Sequence, residues 1–372
     1  MRLICSQSIL VLTFILLSSS MVMAKKDFTK EVNRTFKTTA TGKVDISNKY
    51  GKVNIKTWDK NTVKIQAKIV VNAKNAEKAE EYFNKIKINF NTSQGLVQAH
   101  TEKEDTKSSW SWWGSGSSWK YKVHYDVYMP KGNSLKLANK YGDIYVAEMN
   151  GSADVALKYG NGKLTKIGGA LNLSLGYGKL TVAETQNANI AIKYSKLVLK
   201  ESKNVTIQSK YSNISIDKAS DIKSMSKYDD YFIGTVNDVK TQGKYDDYNI
   251  KSANSIDANG KYSTFVIEQL DEDGDFDTRY GDVIIHNLSK AFDKLKLIGE
   301  YTDYVIETED NASFQVDASS EYTNVKMPSN MSTTVDKKHN NSREVQGQVG
   351  NGNSKSYIKV RTRYGSIKIK LD

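Results

Sequence analysis

The sequence predicts an all-β chain wound as a single-stranded parallel β-solenoid of about 17–21 residues per coil. A small N-terminal β-rich cap domain containing one helix precedes it. Three observations carry this. Tyrosines recur at positions 141, 159, 177, 194, 211, 228, 245, 262, 280, 301, 322 and 364, at steps of 17, 18 or 21 and a final step of 42, which is twice 21. A fixed period near 20 with strand-like composition marks a solenoid. Around each tyrosine the apolar residues alternate, as in Leu171, Leu173, Leu175 and then Leu180 and Val182. Alternation places one face of a strand in a core. Proline and helix-period patterns are absent from this body.

Each coil reads as two strands and a looser return corner. The alternation slips by one residue after the tyrosine, which predicts a corner with an extra residue. A third apolar position often falls eight residues after the tyrosine, at Met149, Ile167, Val236, Leu270 and Leu288. Core volume is compensated within a coil. Where the residue three after the tyrosine is aromatic, the residue two before it is small: Ser226 with Tyr231, Gly243 with Tyr248, Gly260 with Phe265, Gly299 with Tyr304. Close-packed interiors require that exchange. It favours tyrosines that point inward and fill the corner, with an exposed aromatic ladder for glycans as the sharper alternative. The residue before the tyrosine is basic at 140, 158, 193, 210, 227, 244, 261, 279 and 363, and alternation points it outward. Asp229, Asp230, Asp246, Asp247 and Asp282 are expected beside the middle lysines as a solvated charge ladder.

Residues 1–24 have a basic start, the apolar run Ile9–Leu17 and Val22-Met23-Ala24, the pattern of a secretory signal peptide. The one cysteine, Cys5, falls within it, so the exported chain is expected to be free of disulfides. No later stretch is apolar enough to cross a membrane as a helix. Periplasm, outer surface and medium all remain open as destinations. The division expected is 25–134 for the cap, 135–327 for the repeats, and 328–372 for a polar loop and a terminal coil. Within the cap, Asn48-Lys49-Tyr50-Gly51 is a lone early copy of the repeat. A helix is expected from Asn75, burying Ala76, Ala79, Phe83 and Ile86, with strands near 86–90, 95–101 and 120–129.

The net charge of +12 is unevenly spread: residues 25–216 carry 32 Lys+Arg against 16 Asp+Glu, residues 217–321 carry 11 against 23, and residues 322–372 carry 10 against 3. An acidic middle on an exported chain argues against nucleic acid as partner. Basic ends and an acidic middle allow self-association. An envelope protein or glycan is the other partner expected. The stretch from Ser108 sets Trp110, Trp112, Trp113 and Trp119 among Gly and Ser, followed by Tyr121. Such a hairpin tip is a candidate contact for a partner, glycan or membrane surface, or else folds back onto its own domain. No metal-protease, nucleophile-elbow or phosphate-loop motif occurs. The acidic run Asp271, Asp273, Asp275, Asp277 offers oxygens at alternate positions, suited to Ca2+ and hence to a Ca2+-assisted polysaccharide lyase. The competing reading is a solvated acidic turn, and the chain is expected not to be an enzyme.

The stretch from Val123 through Pro130, Ser134-Leu135-Lys136-Leu137 and Tyr141-Gly142-Asp143-Ile144 resembles the bacterial exported β-strand-repeat proteins labelled "putative adhesins". These are similar in style to the GIN domains common in Bacteroidota. The resemblance implies the solenoid fold; the role expected is that of a binding or scaffold protein of the cell envelope, with a periplasmic structural or envelope-stress signalling accessory as the alternative. The sequence departs from that family's pattern by replacing most glycines after tyrosine with Ser, Asp or Thr in the middle coils. It implies no catalytic residue.

Overall fold

The structure is a computed structural model and describes residues 25–104, 120–351 and 354–371. Among the described residues strands dominate, in one continuous hydrogen-bonded system with a single helix, Ala76–Asn84. The body is a parallel β-solenoid. Strands such as Lys179–Lys193, Lys196–Lys210, Asn213–Lys227 and Asp230–Lys244 stack in register, each coil pairing with the next. Leu171, Ala188, Val205, Ile222, Val239 and Ile256 therefore form one buried column, a wall of identical pleat. The third apolar position closes the cross-section: Met149, Ile167, Val236, Leu270 and Leu288 are all buried.

The volume exchange is physical. A Cβ on Gly260 would stand 2.7 Å from the Phe265 ring, and one on Gly299 would overlap the Tyr304 hydroxyl. Tyr231, Tyr248 and Phe265 stack inside the core at 4.7 and 5.0 Å between centroids. The two tyrosine hydroxyls are satisfied by small polar residues on the opposite wall, Ser209 for Tyr231 at 2.7 Å and Ser226 for Tyr248 at 2.6 Å. Ser226 thus serves the aromatic residue of the next coil rather than that of its own.

Both ends differ from the sequence reading. The early Tyr50 copy is the first coil. Lys43–Asn48 pairs in parallel with Ser134–Lys140, and Val53–Trp58 with Ile144–Val146. The described residues 59–104 and 120–133 form an excursion that covers this coil's open edge. Leu96–Lys103 pairs with the first wall and Tyr121–Pro130 with the second, and antiparallel strands Ile86–Ser93, Thr62–Ala73 and Lys26–Lys37 extend them. The helix lies against this excursion through Ala79 and Phe83. Ala76, expected on that face, is exposed; Ile86 is buried as the first residue of a strand. Asn75 caps the helix, its Oδ1 accepting from the Lys78 N–H at 2.9 Å.

At the other end the order of the coils in space departs from their order in sequence. The strands Tyr357–Arg363 and Ser366–Leu371 insert between the coil of Tyr301 and the coil of Tyr322, pairing with both. The stretch read as a polar loop forms an antiparallel hairpin, Ser332–His339 with Ser342–Val349. It covers the outer edge of Phe314–Glu321. An uncovered strand would offer its unpaired amides to another chain.

Candidate functional site

The recurring tyrosine is the organising residue of the surface. All twelve predicted positions adopt a left-handed backbone, with φ between 50° and 60°. That single residue turns the corner between the two walls and accounts for the slip in alternation. The left-handed turn also throws the side chain outward. Eleven of the twelve are 38–49% exposed, and Tyr364 is partly buried. The expectation of inward, corner-filling tyrosines is therefore corrected: neighbouring tyrosines, rather than the core, pack their rings.

Thirteen rings form one stack in the spatial order 50, 141, 159, 177, 194, 211, 228, 245, 262, 280, 301, 364 and 322, with adjacent centroids 4.7–5.3 Å apart. The spacing is that of neighbouring strands. Because each interior ring has a ring on both faces, most of the aromatic faces are occupied and the edges and hydroxyls face solvent. A sugar that binds by lying on an aromatic face finds such a face only at an end of the stack.

The basic residues run beside this ladder, as alternation predicts. Lys140 Nζ lies 4.9 Å from the Tyr141 centroid, Lys158 5.2 Å from Tyr159, and Lys227 5.0 Å from Tyr228. With the ring faces stacked, these ammonium groups reach the rings chiefly at their rims. Among the described residues, Lys49, Lys140, Lys158, Lys193, Lys210, Lys227, Lys244 and Lys261 have no carboxylate within salt-bridge distance, whereas Arg279 pairs with Glu300 at 2.6 Å and Arg363 with Glu321 at 3.2 Å.

The residue after the tyrosine has a second role. In Gly142, Gly160 and Gly178 a Cβ would overlap the carbonyl of the preceding coil. Where Ser or Asp replaces glycine, the side chain becomes a clamp between coils. The N–H of Gly178 donates to Ser195 Oγ, Ser195 N–H to Ser212 Oγ, Ser212 N–H to Asp229 Oδ1, Asp229 N–H to Asp246 Oδ1, and Asp246 N–H to Ser263 Oγ, at 2.7–3.3 Å. Asp229 and Asp246 are therefore buried, 2% and 1% exposed, and not surface partners of the lysines as expected. Burial pushes the Asp246 carboxyl up to about 6, with Asp229 adding repulsion, and burial raises Asp229 as well. Asp230 and Asp247 remain on the surface side of the corner.

The acidic run lies within the strand Leu270–Leu288 rather than in a turn. Asp273 and Asp275 face lysines of the next coil, Lys294 at 3.7 Å and Lys296 at 3.1 Å. Asp271 accepts from Gln269 Nε2 at 2.7 Å, and Asp277 is exposed. With Asp221 and Asp238 the pair Asp273 and Asp275 lines a groove of about 660 Å3. Burial and the neighbouring Asp221 raise the Asp238 carboxyl. Among the described residues no three His, Cys, Asp or Glu side chains gather as a metal site. Trp110, Trp112, Trp113 and Trp119 lie outside the described residues. Tyr121, expected among exposed aromatics, is 8% exposed and packs edge-on against Tyr50 at 5.2 Å. It belongs to the core beneath the first rung.

The fold and these ladders define a class, a capped β-solenoid whose exposed side chains run in columns of like chemistry. No family model and no curated protein matches the chain. Solved structures do. A "putative adhesin" from Bacteroides fragilis is 16% identical and covers 66% of this chain and 97% of its own, with a TM-score of 0.35. A "putative cell adhesion protein" from Clostridium sporogenes is 13% identical over 93% of this chain and 100% of its own, with a TM-score of 0.20. A "putative adhesin" from Parabacteroides merdae is 9% identical over 92% and 97%, with a TM-score of 0.29. The likeness is of the same kind as the sequence resemblance. At these scores the fold rests on the strand pairing above, and ligand and activity take no support from it. No helix among the described residues is long and apolar enough to cross a membrane.

Proposed function

We propose that the chain is an exported, non-catalytic rod of the cell envelope that binds a partner or scaffolds one. The observation that carries this is the arrangement of exposed side chains. They repeat along the axis coil by coil, whereas a catalytic centre needs unlike groups converging on one point. A periodic surface suits a periodic or extended partner. The capped ends support the same reading, because covered edges keep the rod a discrete object instead of a fibre. The sequence adds a second candidate contact, Trp110, Trp112, Trp113 and Trp119, which lie outside the described residues.

Fractionation with protease accessibility on intact and lysed cells tests the proposal. The expected result is recovery in the envelope or medium without residues 1–24. Cleavage on intact cells makes the outer surface the site of action, and protection until lysis makes it the periplasm. Recovery in the cytosol with residues 1–24 attached ends the reading. Exchanging Trp112 and Trp113 for Ala is expected to weaken envelope retention while leaving thermal unfolding unchanged.

A further inference from the structure

We infer that the wall preceding the tyrosines carries a binding trough for a linear polyanion, and that the occupant is an acidic polysaccharide of the polyuronate type. The inference rests on the binding-rod reading and adds the ligand class and its seat. Three features meet in the first coils. A cationic column runs along these coils. Lys49, Lys140, Lys158 and Lys193 fall on successive coils, interrupted only at Gly176, and none has a carboxylate partner among the described residues. Two unit charges in water interact with an energy equal to RT at about 7 Å. Rungs about 4.8 Å apart are closer than that. Such a column holds counter-anions, and a polyanion laid along it releases them, which favours binding without any shape-specific contact.

The second feature is a groove beside the column. Two adjoining hollows of about 490 and 580 Å3 share Ala138, Ala156, Ser174 and Ala191, so they form one trough along the rod axis. The shared residues present nothing larger than a methyl or hydroxymethyl group. Further along, the same column becomes Gln208 and Met225, where longer side chains replace the small ones. The third feature is the far rim. It is polar and ordered: Asp154 Oδ1 accepts from Asn172 Nδ2 at 2.7 Å, and Asn189 Nδ2 donates to Asn172 Oδ1 at 3.2 Å.

Cations on one rim, a mixed polar rim of Lys136, Asp154, Asn172 and Asn189 on the other and a shallow, uncharged floor match a ribbon-like sugar chain. Carboxylates face the lysines, hydroxyls face Asn172 and Asn189, and C–H groups rest on the alanines. A 1,4-linked polyuronate carries one carboxylate per sugar at a rise close to the coil spacing. Every sugar, or every second one where the chain has two-fold twist, then meets a rung.

Binding of sodium alginate oligomers to the full chain decides this, with a neutral cello-oligosaccharide and poly-dT as comparison probes. Alginate is expected to bind at low salt, and the log of its association constant to fall with log salt. Changing Lys140, Lys158 and Lys193 together to Gln is expected to reduce affinity at least tenfold and the salt slope by about 2 to 3, by the counterion-release rule. Changing Lys244 and Lys261 to Gln, on the same column beyond the trough, should alter affinity less than twofold. An Ala191→Trp exchange, which fills the floor but keeps the charge, should also abolish binding. Absence of alginate binding, equal loss from both lysine sets, or equal affinity for poly-dT overturns the inference. The fractionation result stands or falls separately, so loss of the ligand class leaves the envelope role to its own test.

Discussion

The tyrosine at each corner does two things that oppose one another. A left-handed backbone costs a non-glycine residue roughly 1–2 kcal/mol. Glycine would avoid the cost, and the first coil uses it at Gly51, yet the twelve later corners carry tyrosine. Stacking offsets it, because an aromatic pair contributes about 0.5–1.5 kcal/mol beyond burial and each interior ring has two neighbours. This ordering is measurable at Tyr211, whose ring lies 4.9 Å from Tyr194 and 4.8 Å from Tyr228. Tyr211→Phe should leave the urea midpoint nearly unchanged, since the exposed edge carries the hydroxyl. Tyr211→Ala loses the stack and keeps the strain. Tyr211→Gly loses both, so it should be more stable than the Ala variant by about 1 kcal/mol, against the usual order in regular structure. Equal midpoints for Ala and Gly would show that the corner stores no strain.

At the scale of one coil, the two walls trade volume, and Gly299 with Tyr304 is the most direct case. Tyr304 is fully buried and its hydroxyl meets Thr278 Oγ1 at 2.9 Å, so the ring has little room to move. Gly299→Ala should cost about 1–3 kcal/mol through overpacking. In a Tyr304→Phe background the cost should fall by at least half, because the clash is with the hydroxyl. A double-mutant cycle by chemical denaturation reads the coupling, and additive effects would refute the exchange. The exchange was legible in the sequence because both partners lie in one coil, five residues apart. The repeat period, the buried column and the three-sided core were legible for the same reason. The direction of the tyrosine was not. Alternation fixes faces only while the backbone is extended, and a left-handed corner resets the direction. Asp229 and Asp246 were misplaced for a related reason: their partners are backbone amides of the neighbouring coil, which leave no pattern in side-chain chemistry.

At the scale of the whole molecule, the unexpected feature is the order of the coils. Residues 357–371 follow the Tyr322 coil in sequence yet sit one coil in from the end of the stack. Charge opposes direct docking of the coil of Tyr322 on that of Tyr301. In the column beside the ladder, Arg279, Glu300, Arg363 and Glu321 follow one another, alternating in sign. Direct docking would set Glu321 on Glu300, and like charges on facing strands are destabilising. Arg361, bonded to Asp317 at 2.6 Å, ties the inserted coil to the next. The strand Asn324–Lys326 pairs with no strand but Ser366–Leu371 among the described residues. A chain ending at Gly350 should therefore keep amide-exchange protection in coils 135–308 and lose it across 314–326. Its hairpin, Ser332–His339 with Ser342–Val349, would then have no fixed edge to cover. Retained protection across 314–326 would mean that the outer coil closes onto the Tyr301 coil despite the facing glutamates. In that case wall packing, and not the alternating charges, would set the order of the stack.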